Sequence, residues 1–231
     1  MIEKVYNIEI LKTIPLFSGL EDRHLEKLAA IATTLEFKRG DIIFNEGDTG
    51  DGIYMVAKGK IKVFKLSFEG KEQILHIYGP GHTFGEVPVF EGKNFPASSM
   101  ALEKSLIIFL PRHKFVELIT RSPGLGMTLL SDLSRRLRDF TMQIESLSLK
   151  EVPARLAAYI LTLSKEQNSQ HNVVLPISKT QLSSLIGTTP ETISRVLNKM
   201  TKLSFIDVKA RTILIKDFDG LLELSESGSL S

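Results

Sequence analysis

Near the C-terminus, the stretch GTTPETISRVLNKM, residues 187–200, brings an acid, a hydroxyl and a guanidinium onto one side of a predicted helix. Glu191, Ser194 and Arg195 are spaced i, i+3 and i+4, and side chains at this spacing share a helix face. An arginine can bond the N7 and O6 acceptors of guanine, and a glutamate can accept from the N4 amine of cytosine. These three side chains therefore have the chemistry to read base edges in a major groove.

A simpler interpretation of the same face is a surface ion pair between Glu191 and Arg195, worth only about 0.3–0.5 kcal/mol. The two interpretations are compatible, because such a pair would orient the arginine towards a base. The opposite face is apolar and would anchor the helix to its domain through Ile193, Val196, Leu197 and Met200.

The residues around this helix predict a helix-turn-helix. Gly187 permits a left-handed turn, Thr189 is a capping residue type, and Pro190 is favoured at a first helical position. Ser183, four residues before the glycine, is small enough for the two helices to come close together. Ile193, six residues after the glycine, would wedge the second helix onto the first.

Features on either side of this motif favour a polyanionic partner. FIDVK and TILIK, around Ala210-Arg211, predict a hairpin that makes the motif a winged helix-turn-helix. Residues 146–216 hold 10 Lys and Arg against four Asp and Glu, a net charge of +6, whereas the whole chain carries +2. A basic segment suits duplex DNA, although the same charge is compatible with a merely solvated surface. Hydroxyls and a cation placed to hold phosphates are Thr188, Thr189, Thr192 and Lys179.

A different pattern fills the chain from about Glu36 to Leu110. Short apolar runs alternate there with glycine-bearing turns, and glycine supplies the positive φ that tight turns need. This pattern predicts an antiparallel β-roll, a double-stranded β-helix. The runs are DIIF, GIYMV, IKVFKL, QILHIY and SLIIFL.

After Ser122-Pro123 the apolar spacing changes to 3, 4, 3, 4, 3, the stripe of a coiled coil. The alternative is a long amphipathic helix lying on its own domain, but so narrow a stripe favours a parallel homodimer. The residues of this predicted dimer interface are Leu130, Leu133, Leu137, Phe140, Ile144 and Leu147.

Composition excludes several kinds of chemistry. The chain has no cysteine, which rules out disulfides, thiolate metal sites and cysteine-ligated iron–sulfur clusters. No apolar run approaches the roughly 20 residues that cross a bilayer, and the N-terminus lacks a signal-peptide pattern. We therefore expect a cytoplasmic protein with no membrane partner. Paired carboxylates, a nucleophile–histidine pair, a glycine-rich phosphate loop and a metal-binding cluster are missing from the sequence, so we expect no enzyme.

A roll, a dimer helix and a winged helix-turn-helix in this order resemble the CRP/FNR family of bacterial transcription regulators. The resemblance covers the chain from LFSGL at 16–20 to about Asp217, and its other motifs are GDIIFNEGD (40–48), FGE (84–86), RRL (135–137) and PETISRVL (190–197). It implies an α+β chain with a cyclic-nucleotide-binding-like, effector-sensing roll (1–122), a dimerisation helix (123–148) and a DNA-binding domain (149–231). It also implies a homodimeric activator that binds double-stranded DNA, a small effector and RNA polymerase.

The resemblance also suggests an operator. Glu191, Ser194 and Arg195 match the E-x-x-S-R pattern of FNR-like members, which read TTGA-type half-sites in an inverted repeat. Pro190 stands where cAMP-dependent members carry an arginine, which makes a TGTGA half-site less expected. In a two-fold dimer the half-sites would lie about 10 bp apart.

The effector is expected to bind the roll near the dimer helix, at Phe84, Gly85, Glu86, Pro96, Ala97, Ser98, Phe140 and Thr141. In cAMP receptors an arginine and a serine that bind phosphate follow FGE, whereas Phe95 or Pro96 stands at the arginine's place here. A charged phosphate would lose its strongest partner, so we expect no response to cAMP. The FNR iron–sulfur cluster is excluded with the cysteines.

A haem effector is a hypothesis from the same resemblance. The segment IESLSLKEVPARLAAYILTL and the FPAS sequence look most like Dnr- and HcpR-type regulators, which are associated with haem, nitric oxide and nitrosative stress. Haem needs an axial ligand, and the candidates are His76 and His82. Histidines in such positions are more often turn or surface residues.

Two alternatives stay open at this point. One is a cAMP-dependent regulator of the same family, and the other is a cyclic-nucleotide-binding-type module without a role in transcription. The helix-turn-helix counts against the second. The tail LSESGSLS, residues 224–231, is small and polar and is expected to be disordered.

Overall fold

The computed structural model describes residues 2–14, 17, 21–121 and 123–227. These residues form two compact units, 1–136 and 137–231, and the division falls inside one long helix, α5 (Pro123–Leu149). Four residues of the LFSGL motif, namely Leu16, Ser18, Gly19 and Leu20, lie outside the described residues, as does Ser122.

The first unit is the predicted β-roll with helices. Its eight strands pair antiparallel in two four-stranded sheets, ordered β1-β8-β3-β6 and β2-β7-β4-β5. The strands are β1 (Thr33–Phe37), β2 (Ile42–Phe44), β3 (Gly52–Lys58), β4 (Ile61–Leu66), β5 (Glu72–Tyr78), β6 (Thr83–Phe84), β7 (Ser98–Ala101) and β8 (Ser105–Pro111). The helices are α1 (Ile2–Thr13), α2 (Asp22–Ile31), α3 (Val87–Glu91) and α4 (Arg112–Arg121), followed by the first half of α5.

Strand β3 separates two apolar clusters because its side chains alternate between its faces. Ile53 and Met55 join a cluster with buried residues of α2 and α4, such as Leu28 and Phe115. Val56 and its neighbour Tyr54 join the second cluster, which fills the interior of the roll. The roll therefore has a helical outer side and a separate interior, each with its own core.

The second unit contains the winged helix-turn-helix. It begins with the second half of α5 and continues with α6 (Val152–Glu166), α7 (Lys179–Ile186), α8 (Pro190–Lys202) and α9 (Phe218–Ser227). Its strands β9 (Asn172–Val174), β10 (Ile206–Lys209) and β11 (Thr212–Ile215) form one antiparallel sheet in the order β10-β11-β9. The predicted hairpin corresponds to β10 and β11. The α+β fold class with a roll and a winged helix-turn-helix is thus confirmed.

The free edge of β9 is occupied by a side chain. The amide of Gln167 donates from Nε2 to the carbonyl of Val174 at 2.8 Å, and its Oε1 accepts from the Val174 N–H at 2.9 Å. Gln167 therefore satisfies both backbone groups of Val174, which face away from β11.

The expectation of a disordered C-terminal tail is wrong for residues 224–227. Helix α9 extends to Ser227 and packs against α6, with Leu221 and Leu224 buried. Lys150 Nζ donates to the carbonyl of Ser225 at 2.7 Å and so binds the last turn of the helix. Residues 228–231 lie outside the described part of the chain.

Within the described residues, no helix is both long enough and apolar enough to span a bilayer.

Candidate nucleic-acid interface and ligand site

The turn between α7 and α8 is built as the sequence predicts. Ser178 caps α7 in a capping box: its Oγ accepts from the Gln181 N–H at 3.2 Å, and Gln181 Oε1 accepts from the Ser178 N–H at 2.9 Å. Gly187 ends the helix with φ 75°, a left-handed conformation that favours glycine. Ser183 is buried, and its carbonyl accepts from the Thr188 N–H at 2.9 Å. These contacts set the direction in which α8 begins.

Helix α8 has the two faces that the sequence predicts. Thr189 caps it, because its Oγ1 accepts from the Thr192 N–H at 3.3 Å, and Pro190 follows at the first helical position. On the polar side of α8, Glu191 and Arg195 are exposed and Ser194 is half-buried. The apolar face is confirmed as an anchor by the burial of Ile193, Val196, Leu197 and Met200.

Arg195 is held by a threonine and not by the expected glutamate. Its Nη2 donates to Thr192 Oγ1 at 3.3 Å, and Thr189 Oγ1 lies 3.2 Å from the same oxygen. In the described part of the chain no ion pair joins Glu191 to Arg195, so the surface-pair interpretation is wrong. The Glu191 carboxylate instead accepts from its own backbone N–H and from Thr189, and these two bonds lower its pKa.

The proposed phosphate contacts surround the same helix starts. Lys179 is exposed at the first position of α7, Thr189 is exposed, and Thr188 and Thr192 are half-buried. The structure therefore brings all seven predicted DNA contacts into α7, α8 and the turn between them.

A second polar cluster lies in the first unit and includes Arg136, which the sequence analysis did not name as a site residue. Arg136 Nη1 lies 2.5 Å from Glu86 Oε1, and Nη2 donates to Thr83 Oγ1 at 2.7 Å. Thr83 Oγ1 also donates to Glu86 Oε1 at 2.9 Å, and the guanidinium carbon lies 5.2 Å from the centre of the Tyr78 ring. The signal that could have found this contact is the RRL motif together with a glutamate in a strand-rich core, since a buried carboxylate needs a cation.

Aromatic rings fill the interior beside this cluster. Phe95 is buried and stacks on Phe44 with ring centres 3.8 Å apart, and Phe84 lies 5.4 Å from Tyr54. Gly85 has φ +75°, and a Cβ there would lie 3.0 Å from the Tyr54 ring. Phe84, Gly85 and Glu86 of the predicted effector pocket therefore lie together, with Phe95 against the same aromatic group.

The remaining predicted pocket residues are placed differently. Pro96 is exposed and its carbonyl accepts from Lys65 Nζ at 3.1 Å, Ala97 is buried, and Ser98 Oγ accepts from the Glu46 N–H at 2.9 Å. Phe140 and Thr141 belong to the second unit, where Phe140 is 38% exposed and Thr141 Oγ1 donates to a carbonyl one helical turn earlier.

The two haem-ligand candidates flank one tyrosine. The ring of His76 lies 4.4 Å and that of His82 6.2 Å from the ring of Tyr78. His82 is exposed, and its Nδ1 lies 3.2 Å from the carbonyl of Gly79, an arrangement in which Nε2 would be the ligating nitrogen. Among the described residues no group of three or more His, Asp and Glu side chains is arranged to hold a metal ion.

The predicted dimer stripe runs along α5. Leu130, Leu137 and Ile144 are 58%, 68% and 66% exposed, Phe140 is also exposed, and Leu133 and Leu147 are half-buried. In a single chain, this row of large aliphatic side chains is exposed to water. Such an exposed apolar row is typical of a surface that binds a partner.

A β-roll followed by a long helix and a winged helix-turn-helix is the architecture of a DNA-binding regulator. The β-roll is the kind of domain that binds a small ligand in such proteins. The cyclic nucleotide-binding domain model matches residues 34–122, and the Crp-like helix-turn-helix domain model matches residues 154–224. The chain therefore belongs to the CRP/FNR family of transcriptional regulators.

Individual relatives agree with this assignment. The cyclic AMP receptor protein of Thermus thermophilus is 30% identical over 215 residues, covering 93% of this chain and 98% of the relative. The transcriptional activator protein Anr of Pseudomonas protegens is 29% identical over 209 residues, covering 88% and 84%. A transcriptional regulator of the CRP/FNR family from Thermus thermophilus superposes with a TM-score of 0.69 at 28% identity, covering 85% of this chain and all of that one. FixK2 of Bradyrhizobium japonicum shares the fold, with a TM-score of 0.75 at 21% identity and coverage of 87% and 99%.

Proposed function

We propose that this regulator is a homodimer that reads an inverted repeat of TTGA-like half-sites and activates transcription when a small effector binds its roll. In this proposal residues 1–122 sense the effector, residues 123–148 dimerise and residues 149–231 bind DNA, with RNA polymerase as the protein partner. The observation that carries the proposal is the outward face of α8, where exposed Arg195 is supported by Thr192 on a helix anchored by four buried side chains.

The arrangement of α7 and α8 explains how such a surface would bind duplex DNA. Base contacts would come from Glu191, Ser194 and Arg195, because they share the side of α8 opposite its anchor. Phosphate contacts would come from Lys179 and the hydroxyls near the start of α8, where the partial positive charge of a helix N-terminus also favours an anion. The base contacts would supply sequence specificity, and the phosphate contacts would position the protein on the duplex.

The nature of the effector rests on the interior of the roll. Phe95 stacks on Phe44, and the Arg136 guanidinium is engaged by Glu86, so neither position offers an uncommitted cation for a cyclic phosphate. We therefore propose an effector other than cAMP. The name of the Thermus thermophilus relative favours the alternative, a cAMP-dependent regulator. Titration with micromolar cAMP decides between them, since a raised melting temperature or tighter DNA binding would establish the alternative.

Haem is the specific effector hypothesis, in keeping with the likeness to Dnr- and HcpR-type regulators. His76 or His82 would supply an axial ligand, and haem bound there would sense a diatomic gas such as nitric oxide. Reconstitution of the purified protein with haem should give a shifted Soret band that His76→Ala or His82→Ala alters. A spectrum identical to that of free haem, or one that both variants leave unchanged, contradicts this hypothesis.

The DNA-binding proposal is tested by fluorescence anisotropy on an inverted repeat and on a scrambled duplex at fixed salt. Arg195→Ala should reduce the ratio of the two affinities by about 10–100-fold, because a bidentate base contact contributes about 1–3 kcal/mol of discrimination. Lys179→Ala should weaken binding to both duplexes alike. The control is Arg23→Ala, an exposed arginine of α2. An unchanged ratio in Arg195→Ala would overturn the proposal.

A further inference from the structure

A groove on the helical side of the first unit has an aliphatic floor. It lies between α2 and α4, has a volume of about 310 Å³, and is lined at its base by Leu28, Ile31 and Leu118. Leu28 and Leu118 belong to the outer core cluster, whereas the aromatic group of the proposed effector site belongs to the interior cluster. The groove and the roll interior are therefore different places, separated by the sheet that contains β3.

Cations surround this apolar floor. Lys27, Lys114 and Arg121 line the groove, and Glu117 is the acid among its lining residues. Glu117 lies 2.9 Å from Arg121 and 4.0 Å from Lys114, so it neutralises part of this charge. Lys27 makes no ion pair with any residue that the structure describes. The rim thus has an excess of positive charge, with Lys27 as its least compensated member.

We propose that this groove binds a free single-chain carboxylate, an amphiphile whose alkyl chain lies against Ala30, half-buried Ile31 and the small exposed part of Leu118, and whose head group meets Lys27 and Lys114. The volume is at the lower end of the roughly 300–1,000 Å³ that small-molecule sites occupy. A protein partner would need about 800 Å² of surface on each side, far more than this groove offers. Aliphatic walls select the chain, and the basic rim selects the charge of the head group.

The test is calorimetric titration of the full-length protein with monomeric decanoate, decanol and decylammonium, the two ions below their micelle concentrations and decanol below its solubility limit. The chain length is constant in this series and only the head group changes. Decanoate should bind at least tenfold more tightly than decanol, and decylammonium should bind least, because the rim carries excess positive charge. Equal affinity for decanoate and decylammonium, or no heat below millimolar decanoate, would overturn the proposal.

Two substitutions locate the ligand. Lys27→Glu should weaken decanoate binding at least tenfold, whereas Lys71→Glu, an equal charge change in the exposed β4–β5 turn, should not. Ala30→Trp should fill the edge of the groove and weaken decanoate at least fivefold, and Glu26→Trp, on the same helix but outside the lining, is its control. Circular dichroism confirms that each variant is folded. If neither Lys27→Glu nor Ala30→Trp changes the affinity for decanoate, the ligand binds elsewhere and the proposal is overturned.

Discussion

The side chain of Arg136 is largely buried, although the sequence pattern of α5 does not distinguish it from the exposed arginines beside it. Its neighbours Arg135 and Arg138 are exposed, as the polar faces of α5 predict, but the Arg136 guanidinium lies against Glu86 and Thr83. The side chains of Arg136 and Glu86 are only 14% and 11% exposed. Two charges removed from water in this way depend on each other, because either one alone would lack a counter-charge.

This dependence predicts the cost of breaking the pair. Arg136→Gln or Glu86→Gln should each lower the free energy of unfolding by about 3 kcal/mol, since removing one partner of a buried pair leaves an uncompensated charge. The double variant should lose clearly less than the sum of the two single variants. Urea denaturation followed by circular dichroism measures all three proteins, and exposed Arg135→Gln is the control. Additive losses would show that the two side chains are not coupled.

Glu191 in α8 gives a prediction about how its own pKa and its contribution to folding depend on Thr189. Bonds from its own N–H and from Thr189 hold the pKa of Glu191 below the ordinary value of 4.5. The carboxylate therefore favours folding above its ordinary pKa, and this contribution is lost as the pH falls through the lowered folded-state pKa. Thr189→Val should raise the pKa towards 4.5, whereas Thr189→Ser, which keeps a hydroxyl, should leave it low. Carboxyl ¹³C shifts of labelled glutamate follow the titration, and equal pKa values in both variants would contradict the role of Thr189.

Among the elements, α9 differs most from the expectation. Its last residues are small and polar, and composition alone therefore suggested a disordered tail. The sequence signal for this helix is the i, i+3 spacing of Leu221 and Leu224, which places two leucines on the face that packs on α6.

The burial of that face predicts a large difference between two adjacent leucines. Leu221 is fully buried and Leu222 is 43% exposed. Leu221→Ala should destabilise the second unit by about 2–5 kcal/mol, the usual effect of a cavity left by a leucine, whereas Leu222→Ala should change stability by less than about 0.5 kcal/mol. Thermal denaturation compares the two variants. Similar melting temperatures would show that α9 contributes little to the stability of the unit.

The elements that the sequence predicted well are those fixed by local chemistry. Ser178, Gly187 and Thr189 mark helix ends through bonds to residues three or four positions away, so a short window of sequence contains the whole cause. The stacking of Phe95 on Phe44 and the pairing of Arg136 with Glu86 join residues about 50 positions apart. Such pairs depend on strand order and register, which periodicity does not specify.

At the scale of the whole molecule, the row of exposed apolar residues on α5 predicts the oligomeric state. Leu137→Glu should convert a dimer into a monomer, because it places a charge in the centre of the predicted interface. Met142→Glu is the matched control, since Met142 is 52% exposed on the same helix but lies outside the 3–4 stripe. Sedimentation velocity measures the mass of each variant. A dimer that persists in Leu137→Glu would show that this stripe is not the interface.

The side chain of Gln167 has a consequence for molecules crowded together. A sheet with an open edge can recruit an extra strand from a neighbouring copy, which is a common route to aggregation. In β9 the Val174 N–H and carbonyl, which such a strand would use, are already bound to the Gln167 amide. Neighbouring copies can therefore approach each other at Val174 without their sheets joining there.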